Sequence, residues 1–285
     1  MTILITAASG QLGRLVLDSL LQRGVDPSTV RAGARTPASL ASYAERGVEV
    51  VHLDYSDPAT AVAATQGVDR VLLISSSEVG QRVAQHQSVI DAAAAQGVGH
   101  LVYTSASQAT TADFVLAPEH KATEEAIAAS GVPATILRNN WYHENYAQAL
   151  ATARDTGVVT TSAGAGRVAS ASRQDFAEGA AVVLTTDGHA GQVYELAGDV
   201  AWDFDTLAAA FAEVLGREVQ VQQLTTQEHV ALLESFGLDA GTAGFVAGLD
   251  TGIREGVLAG VDGTLSRLIG RPTTPFVEGL RSALA

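Results

Sequence analysis

A run of small residues near the start of the chain has the spacing of a loop that can hold a dinucleotide. The run is Thr6-Ala7-Ala8-Ser9-Gly10-Gln11-Leu12-Gly13, and it lies between an apolar segment and a helical pattern. Small residues let the backbone approach a pyrophosphate, whose charge is stabilised by free N–H groups at the amino end of a helix. We therefore predict that Thr6–Leu12 contacts a dinucleotide. The alternative is a tight strand–helix turn without a ligand.

Arg35 follows the second predicted strand, where NAD-selective sites carry an acidic residue. An acid at this position would bind the 2′-hydroxyl of the ribose. A guanidinium instead matches the geometry and charge of a 2′-phosphate. The pattern therefore predicts NADPH as the cofactor. The alternative is that Arg35 is an ordinary surface arginine.

Three hydroxyl side chains, Ser75, Ser76 and Ser77, follow the fourth predicted strand. Ligands of open α/β sheets lie beyond the carboxyl ends of the strands. We therefore expect these serines to meet the nicotinamide ribose or a substrate. Helix capping and ordinary loop polarity are the alternative explanation.

The chain lacks a tyrosine four residues before a lysine, a common proton donor in ketone reduction. Lys121 is the single lysine, and Ala117 stands four residues before it. Reduction of a ketone needs a proton for a strongly basic alkoxide, whereas a hydroquinone anion is stable and can take its proton from water. Direct hydride transfer needs only proximity and orientation. The absence therefore favours a quinone or a similar planar acceptor.

Aromatic and amide side chains are crowded after the sixth predicted strand. Trp141 and Tyr142 can form a wall over a planar ring, or they can belong to a packing hinge between lobes. His120, in the first turn of a predicted helix, can donate a proton or a hydrogen bond to a quinone oxygen, or it can be a partly exposed surface residue. These three are the candidate catalytic residues, acting by positioning. The remaining members of the run with candidate cofactor contacts are Asn139, Asn140, His143 and Glu144.

Composition restricts the class of protein. The chain has 285 residues, of which 47% are hydrophobic and 17% charged, with a formal net charge of −14 and no cysteine. A large core is available, and nucleic-acid binding is disfavoured by the charge. Disulfides and thiolate chemistry are excluded. No apolar run is long enough to span a bilayer, and no positive region precedes the first apolar segment, so we expect a cytoplasmic protein. The scattered histidines predict no metal site, and no nucleophile elbow is present.

Apolar β-branched runs alternate with helical patterns through the first half of the chain. This alternation predicts an α/β fold: a doubly wound parallel Rossmann sheet with a smaller C-terminal α+β lobe. The six strand candidates are Thr2–Thr6, Val30–Ala34, Val48–Leu53, Asp69–Ile74, His100–Thr104 and Ala134–Arg138.

The expected division places residues 1–150 in an NADP-binding domain, with residues 172–197 returning to it. Residues 151–171 and 198–285 are expected to form the substrate-side lobe. Within that part of the chain, Gly157–Ala171 is predicted to be a loop or short hairpin, and several short helices are predicted after Ala240.

Five motifs resemble those of a known family. The chain is similar to the NmrA-like branch of atypical short-chain dehydrogenases, and within it to the NAD(P)H:quinone oxidoreductase type 2 group, over essentially its whole length. Family members usually carry glycine at the position of Ala7. The matching motifs are Gln11–Gly13, Ile74–Arg82, Leu137–Tyr146, Val193–Gly198 and Leu268–Thr274.

The resemblance implies hydride transfer to quinones without the tyrosine–lysine pair. It also implies cofactor contacts at Ala7–Leu12, Arg35, Ser75–Ser77 and Asn139–Glu144, with a further contact at Arg173. Triphenylmethane dye reductases are relatives, so the family does not fix the acceptor. A homodimer is allowed by the sequence, which does not determine the oligomeric state.

Two other functions remain open at this point. Some NmrA-like proteins bind NADP without chemistry, and a redox sensor of that kind needs no open pocket at the nicotinamide. A ketone reductase, a dye reductase or a sugar-nucleotide epimerase is the other alternative. The missing tyrosine–lysine pair counts against the ketone reductase and the epimerase.

Overall fold

The computed structural model describes residues 1–282, and its strands confirm the predicted α/β fold. Six of the predicted strands are present within one or two residues of their expected bounds. In chain order, the described strands are β1 Ile3–Ile5, β2 Val30–Ala34, β3 Glu49–His52, β4 Arg70–Leu73, β5 His100–Ala106, β6 Ala134–Asn139, β7 Val158–Thr161, β8 Val193–Leu196 and β9 Gln220–Gln223.

Helices follow most strands. The described helices are α1 Gln11–Gln22, α2 Ala41–Ala44, α3 Pro58–Thr65, α4 Arg82–Ala95, α5 Ala117–Ser130, α6 Ala147–Thr156, α7 Arg173–Thr185, α8 Phe204–Leu215, α9 Thr226–Ser235, α10 Ala240–Arg254, α11 Thr264–Ile269 and α12 Phe276–Ser282.

Local sequence explains where these helices begin and which face they bury. Asp57 caps α3 by accepting the N–H of Ala59, and Pro58 occupies the first helical position, where its missing N–H costs nothing. In α1, the buried residues Val16, Leu17 and Leu20 recur at helical spacing. This apolar face of α1 lies beneath the sheet, and the helix packs beside α7.

Seven strands form one sheet in the order β3-β2-β1-β4-β5-β6-β8. The pairs from β3 to β6 are parallel, and both β2 and β4 pair with β1. The order therefore reverses direction at β1, which is the switch point of a doubly wound sheet. In such sheets the ligand site lies beyond the carboxyl ends of the strands at the switch point.

The chain divides into two compact units. The first contains Met1–Thr110, Pro118–Asn139 and Arg173–Glu195, and the second contains Thr111–Ala117, Asn140–Ser172 and the chain from Leu196 onward. The first unit has an apolar core of sheet and helix residues such as Leu4, Leu73 and Ile90. The second has a separate core that includes Trp202 and Phe276, whose rings stack at 4.4 Å.

The second half of the chain departs from prediction in two places. Within Gly157–Ala171, residues 162–171 are largely irregular as predicted, but Val158–Thr161 forms β7, which pairs in parallel with β9, more than fifty residues away, and not in a local hairpin. A parallel partner at that distance leaves no local turn signal, which is why the sequence did not predict it. After Ala240 the predicted short helices are present as α11 and α12, but they follow α10, a single helix of 15 residues.

Candidate functional site

The loop from β1 to α1 has a compact backbone that suits a pyrophosphate. Ala7 adopts a left-handed conformation with φ of 45°. The N–H of Gly10 donates to the carbonyl of Ala7 at 2.9 Å, and the N–H of Ala8 donates to Gly33 at 2.9 Å. A Cβ atom on Gly13 would lie 2.5 Å from the Ala7 oxygen, so only glycine fits there. The loop thus takes, with an alanine, a conformation that glycine adopts without strain.

The first turn of α1 offers donors to an anion. The N–H groups of Gln11, Leu12 and Gly13 have no partner inside the helix because of their position, and Gly10 supplies no side-chain cap. Arg14 adds a positive charge beside them, with Nε donating to the Ser9 carbonyl at 3.0 Å. The residues present therefore fit the pyrophosphate of a dinucleotide.

Thr6 has its side chain inside the sheet. Its Oγ1 donates to the Leu72 carbonyl at 2.9 Å and accepts from the N–H of Ile74 at 3.0 Å. It is also hydrogen-bonded to the hydroxyl of Tyr55. The Thr6 side chain therefore joins β1 to β4, and only its backbone is available to the loop.

Arg35 lies at the end of β2 with a largely exposed side chain. Its Nη1 is 3.3 Å from Oε1 of Glu78, and the two side chains are 71% and 47% exposed. The other oxygen of Glu78 accepts from Nε2 of the buried Gln85 at 2.8 Å. An exposed ion pair of this kind contributes at most about 1 kcal/mol. The ion pair with Glu78 therefore holds the Arg35 side chain only weakly.

The three serines after β4 occupy different environments. The N–H of Ser75 donates to Oγ1 of Thr104 at 2.9 Å, and the N–H of Ser76 donates to Nε2 of His86 at 2.9 Å. The side chain of Ser77 is exposed. The segment is thus fixed by its backbone to β5 and α4, which leaves the hydroxyl of Ser77 toward solvent.

His120 forms a buried pair with Tyr103, a residue that sequence reasoning did not select. The Tyr103 hydroxyl lies 2.8 Å from Nδ1 of His120, and both side chains are buried. Burial lowers the pKa of His120 to about 3, with smaller contributions from Arg82 and His86. Burial also raises the pKa of Tyr103. Both groups are therefore uncharged at neutral pH. The lack of a lysine after Tyr103 concealed this pair, because its partner is 17 residues away.

The segment after β4 is also hydrogen-bonded to the helix that carries His120. Glu119, in the first turn of α5, accepts from the N–H of Gly80 at 2.8 Å and from Nη1 of Arg82 at 3.2 Å. Arg82 in turn donates from Nε to the Ser76 carbonyl at 2.7 Å. The backbone of Ser76 is thus connected through Arg82 to Glu119, the residue that precedes His120 in α5.

Two further predicted contacts belong to the first unit. Asn139 ends β6, and its carbonyl accepts the N–H of Ser107 at 3.1 Å. Arg173 is the first residue of α7 and is half-buried.

The remaining predicted residues lie in the second unit. Nδ2 of Asn140 donates to the Leu258 carbonyl at 3.2 Å, and Oδ1 accepts the N–H of Trp141 at 2.6 Å. Trp141 is half-buried against the apolar core of that unit. Tyr142 forms a parallel bridge with Ala171. Asn140 thus fixes the backbone from which the two aromatic rings project.

His143 is a core residue of the second unit. Its Nδ1 lies 2.8 Å from the Ser170 hydroxyl, and its Nε2 lies 3.0 Å from the Thr274 carbonyl. A carbonyl can only accept, so Nε2 carries a proton and donates it to Thr274. Both ring nitrogens are therefore used inside the unit. Glu144, the next residue, is half-buried.

Among residues 1–282, no helix has the length and apolar character that a bilayer-spanning segment needs. Nor do these residues contain a group of three or more His, Cys, Asp or Glu side chains arranged to hold a metal ion.

Residues 7–187 match the sequence profile of an NAD(P)H-binding family. The match covers more than half of the 285 residues. The chain therefore belongs to this family of dinucleotide-binding Rossmann proteins, as its first loop and its sheet order indicate.

Within this family, the chain is similar to individual oxidoreductases over its full length. Quinone oxidoreductase 2 of Escherichia coli K12 is 46% identical over 278 residues, which are 98% of this chain and 97% of that protein. The crystal structure of an NADPH-dependent quinone oxidoreductase from E. coli, in complex with NADPH, superposes with a TM-score of 0.95 over the whole of both chains, at 45% identity. A triphenylmethane reductase of Citrobacter sp. with NADP(H) gives a TM-score of 0.92 at 35% identity, over 99% of this chain and 100% of that one. The predicted resemblance to NmrA-like quinone oxidoreductases is confirmed.

Proposed function

We propose that this protein is an NADPH-dependent oxidoreductase that passes a hydride directly to a quinone or a similar planar acceptor. The observation that carries the proposal is the match to a quinone oxidoreductase over the full length of both proteins, in sequence and in fold. The chain's own site agrees with that match. It has a loop shaped for a pyrophosphate, an arginine at the end of β2, and no tyrosine–lysine pair.

Different residues of the first unit bind different parts of the cofactor. The backbone of Thr6–Leu12 and the amino end of α1 bind the pyrophosphate, and Arg35 binds the 2′-phosphate. Ser75–Ser77 lie after β4, Asn139 ends β6, and both border the nicotinamide side. Bound there, NADPH supplies the hydride. The contacts expected at Asn140, Trp141, Tyr142, His143, Glu144 and Arg173 stay predictions.

The proton balance supports an acceptor of the quinone type. NADPH, a quinone and one proton give NADP⁺ and a hydroquinone. With a pKa of about 3, His120 carries no proton to give as an imidazolium at neutral pH. The proton therefore comes from water, which suffices for a stable hydroquinone anion but not for an alkoxide. The acceptor class includes dyes, since a triphenylmethane reductase is a relative.

Replacement of Arg35 tests the cofactor assignment. In Arg35→Ala we expect the affinity for NADP⁺ to fall about 10- to 100-fold, since a charge-assisted hydrogen bond to phosphate is lost. Affinity for NAD⁺, which has no 2′-phosphate, should not change. Titration calorimetry with both nucleotides measures this. Arg46→Ala is the matched control, because Arg46 is also an exposed, ion-paired arginine of the first unit. An equal loss for both nucleotides in Arg35→Ala would contradict the assignment.

A further inference from the structure

The protons around His86 can be assigned from its hydrogen bonds. The N–H of Ser76 donates to Nε2, so this nitrogen is bare. Burial lowers the pKa of His86 to about 3, so the neutral ring carries its proton on Nδ1. That proton goes to Oγ1 of Thr123 at 3.0 Å, and Thr123 donates its own proton to the Glu119 carbonyl at 2.8 Å.

The same reasoning extends to Tyr103 and His120. The Thr123 hydroxyl, which also interacts with Tyr103, gives its own proton to the Glu119 carbonyl and has none for the Tyr103 oxygen. Nδ1 of His120 lies at hydrogen-bond distance, 2.8 Å, from the Tyr103 hydroxyl. A neutral phenol donates to a bare imidazole nitrogen, since the phenol is the stronger acid of the two. The proton of the His120 ring is then on Nε2.

We propose that Tyr103 is a positioning residue: it donates to Nδ1 of His120, fixes His120 as the Nε2–H tautomer, and so leaves an uncharged N–H donor for the oxygen of the acceptor. Within the described chain, the hydrogen bond of the His120 ring is the one to Tyr103, and Nε2–H is not used by another residue.

This role rests on the proposed function and gives it a chemical detail. Negative charge develops on the acceptor oxygen as the hydride arrives, and a fixed neutral donor stabilises that charge. No proton moves from His120, so the ring returns to the same state after each turnover. Without a fixed partner, the His120 ring would exchange between its two neutral tautomers. In the Nδ1–H tautomer, the bare Nε2 would repel the oxygen of the acceptor. The hydrogen bond from Tyr103 excludes this tautomer.

Nuclear magnetic resonance tests the tautomer directly, without cofactor or acceptor. Long-range ¹H–¹⁵N correlation distinguishes the two neutral tautomers of each histidine, and the chain has seven. The His120 signal is the one lost in His120→Gln. We expect the Nε2–H form in the wild-type protein at neutral pH and a mixture in Tyr103→Phe. An Nδ1–H form or an imidazolium in the wild type would overturn the inference. So would a Tyr103→Phe ring that keeps its tautomer.

Tyr55→Phe is the matched structural control. Tyr55 is also buried in the first unit, its ring lies 6.1 Å from that of His86, and its hydroxyl donates to the Ile74 carbonyl at 2.8 Å. Its loss should perturb packing to a similar degree and leave the His120 tautomer unchanged. A shift of the tautomer in Tyr55→Phe as large as in Tyr103→Phe would assign the effect to packing.

Kinetics then test the use of the donor. We expect kcat for a quinone to fall about 100-fold in His120→Leu and about 10-fold in Tyr103→Phe, with KM for NADPH unchanged. His120→Gln, which keeps an N–H donor, should retain more activity than His120→Leu. Equal losses in Gln and Leu variants would refute the donor role even if the tautomer is as assigned. If Tyr103→Phe does not fold, the wild-type spectrum and the two His120 variants decide. A wild-type protein with the assigned tautomer but no quinone turnover would instead refute the proposed function.

Discussion

At the scale of single residues, burial determines the charge of the two site histidines. Burial, with a smaller effect of Arg82, lowers the pKa of both His86 and His120 to about 3. In the unfolded chain the pKa of histidine is about 6.5. Between these values the unfolded state binds protons that the folded state does not, so the free energy of unfolding must fall as the pH is lowered from about 6.5. Above that pH the two histidines contribute no slope.

We predict a loss of about 2 kcal/mol in the free energy of unfolding at pH 5 for each of these histidines. Urea unfolding at pH 7 and pH 5 measures it. In His120→Gln, the free energy of unfolding should depend less on pH, because the contribution of one of the two histidines is removed. His52→Gln, which changes an exposed histidine, should keep the wild-type slope. A slope in His120→Gln equal to that of the wild type would show that His120 is not buried as a neutral ring.

The type of a residue indicates what its side chain can do, but it does not predict which other side chains it will contact. The sequence selected Arg35, which is exposed at the end of β2, and His120, which is buried beside Tyr103; their roles stay predictions. It also selected Thr6 and His143, whose side chains prove to be hydrogen-bonded inside their own units. It did not select Tyr103, because its partner is brought to it only when α5 packs on the sheet. Pairing of side chains across elements depends on that packing, which a single sequence does not encode locally.

At the scale of elements, the loop from β1 to α1 has a strained residue at its first position. Ala7 has a φ of 45°, which costs an alanine about 1 kcal/mol and a glycine almost nothing. Gly13 leaves the Ala7 carbonyl the space that it needs. The loop therefore keeps its shape because the surrounding backbone hydrogen bonds impose it.

Substitution of Ala7 by glycine should stabilise the protein. We expect the free energy of unfolding of Ala7→Gly to rise by about 1 kcal/mol, with the affinity for NADP⁺ unchanged, because the loop already has the required shape. Ala8→Gly is the matched control: Ala8 is buried and is not in the left-handed region, so this variant should be destabilised. Both are measured by urea unfolding. A loss of stability in Ala7→Gly as large as in Ala8→Gly would contradict the strain.

Element prediction succeeded where the signal is local. Val30–Ala34 was predicted with its observed bounds. The parallel pair of β7 and β9 was missed, since two short polar strands far apart in sequence show neither alternation nor a turn. Local sequence patterns therefore predict most elements in the first half of the chain, whereas the β7–β9 pair in the second half depends on pairing between distant segments.

At the scale of the whole molecule, an anionic protein binds an anionic cofactor. The net charge is −14, so attraction to the phosphates must be local. Arg14 carries positive charge beside the amino end of α1, and Arg35 carries it at the end of β2. The doubly wound order of the sheet brings these groups to one edge, beyond the carboxyl ends of β1 and β2. Fold and charge therefore both favour the dinucleotide site that we propose in the first unit.

The most direct test of the proposed function is the oxidation of NADPH in the presence of a benzoquinone, a naphthoquinone, a triphenylmethane dye and a simple ketone, each repeated with NADH. We predict rapid oxidation with the quinones, faster with NADPH than with NADH, and none with the ketone. Tight NADP⁺ binding without turnover of any quinone or dye would contradict the proposal and favour a redox sensor. Rapid reduction of the ketone would show that the protein has a proton donor that the Tyr103–His120 pair does not explain.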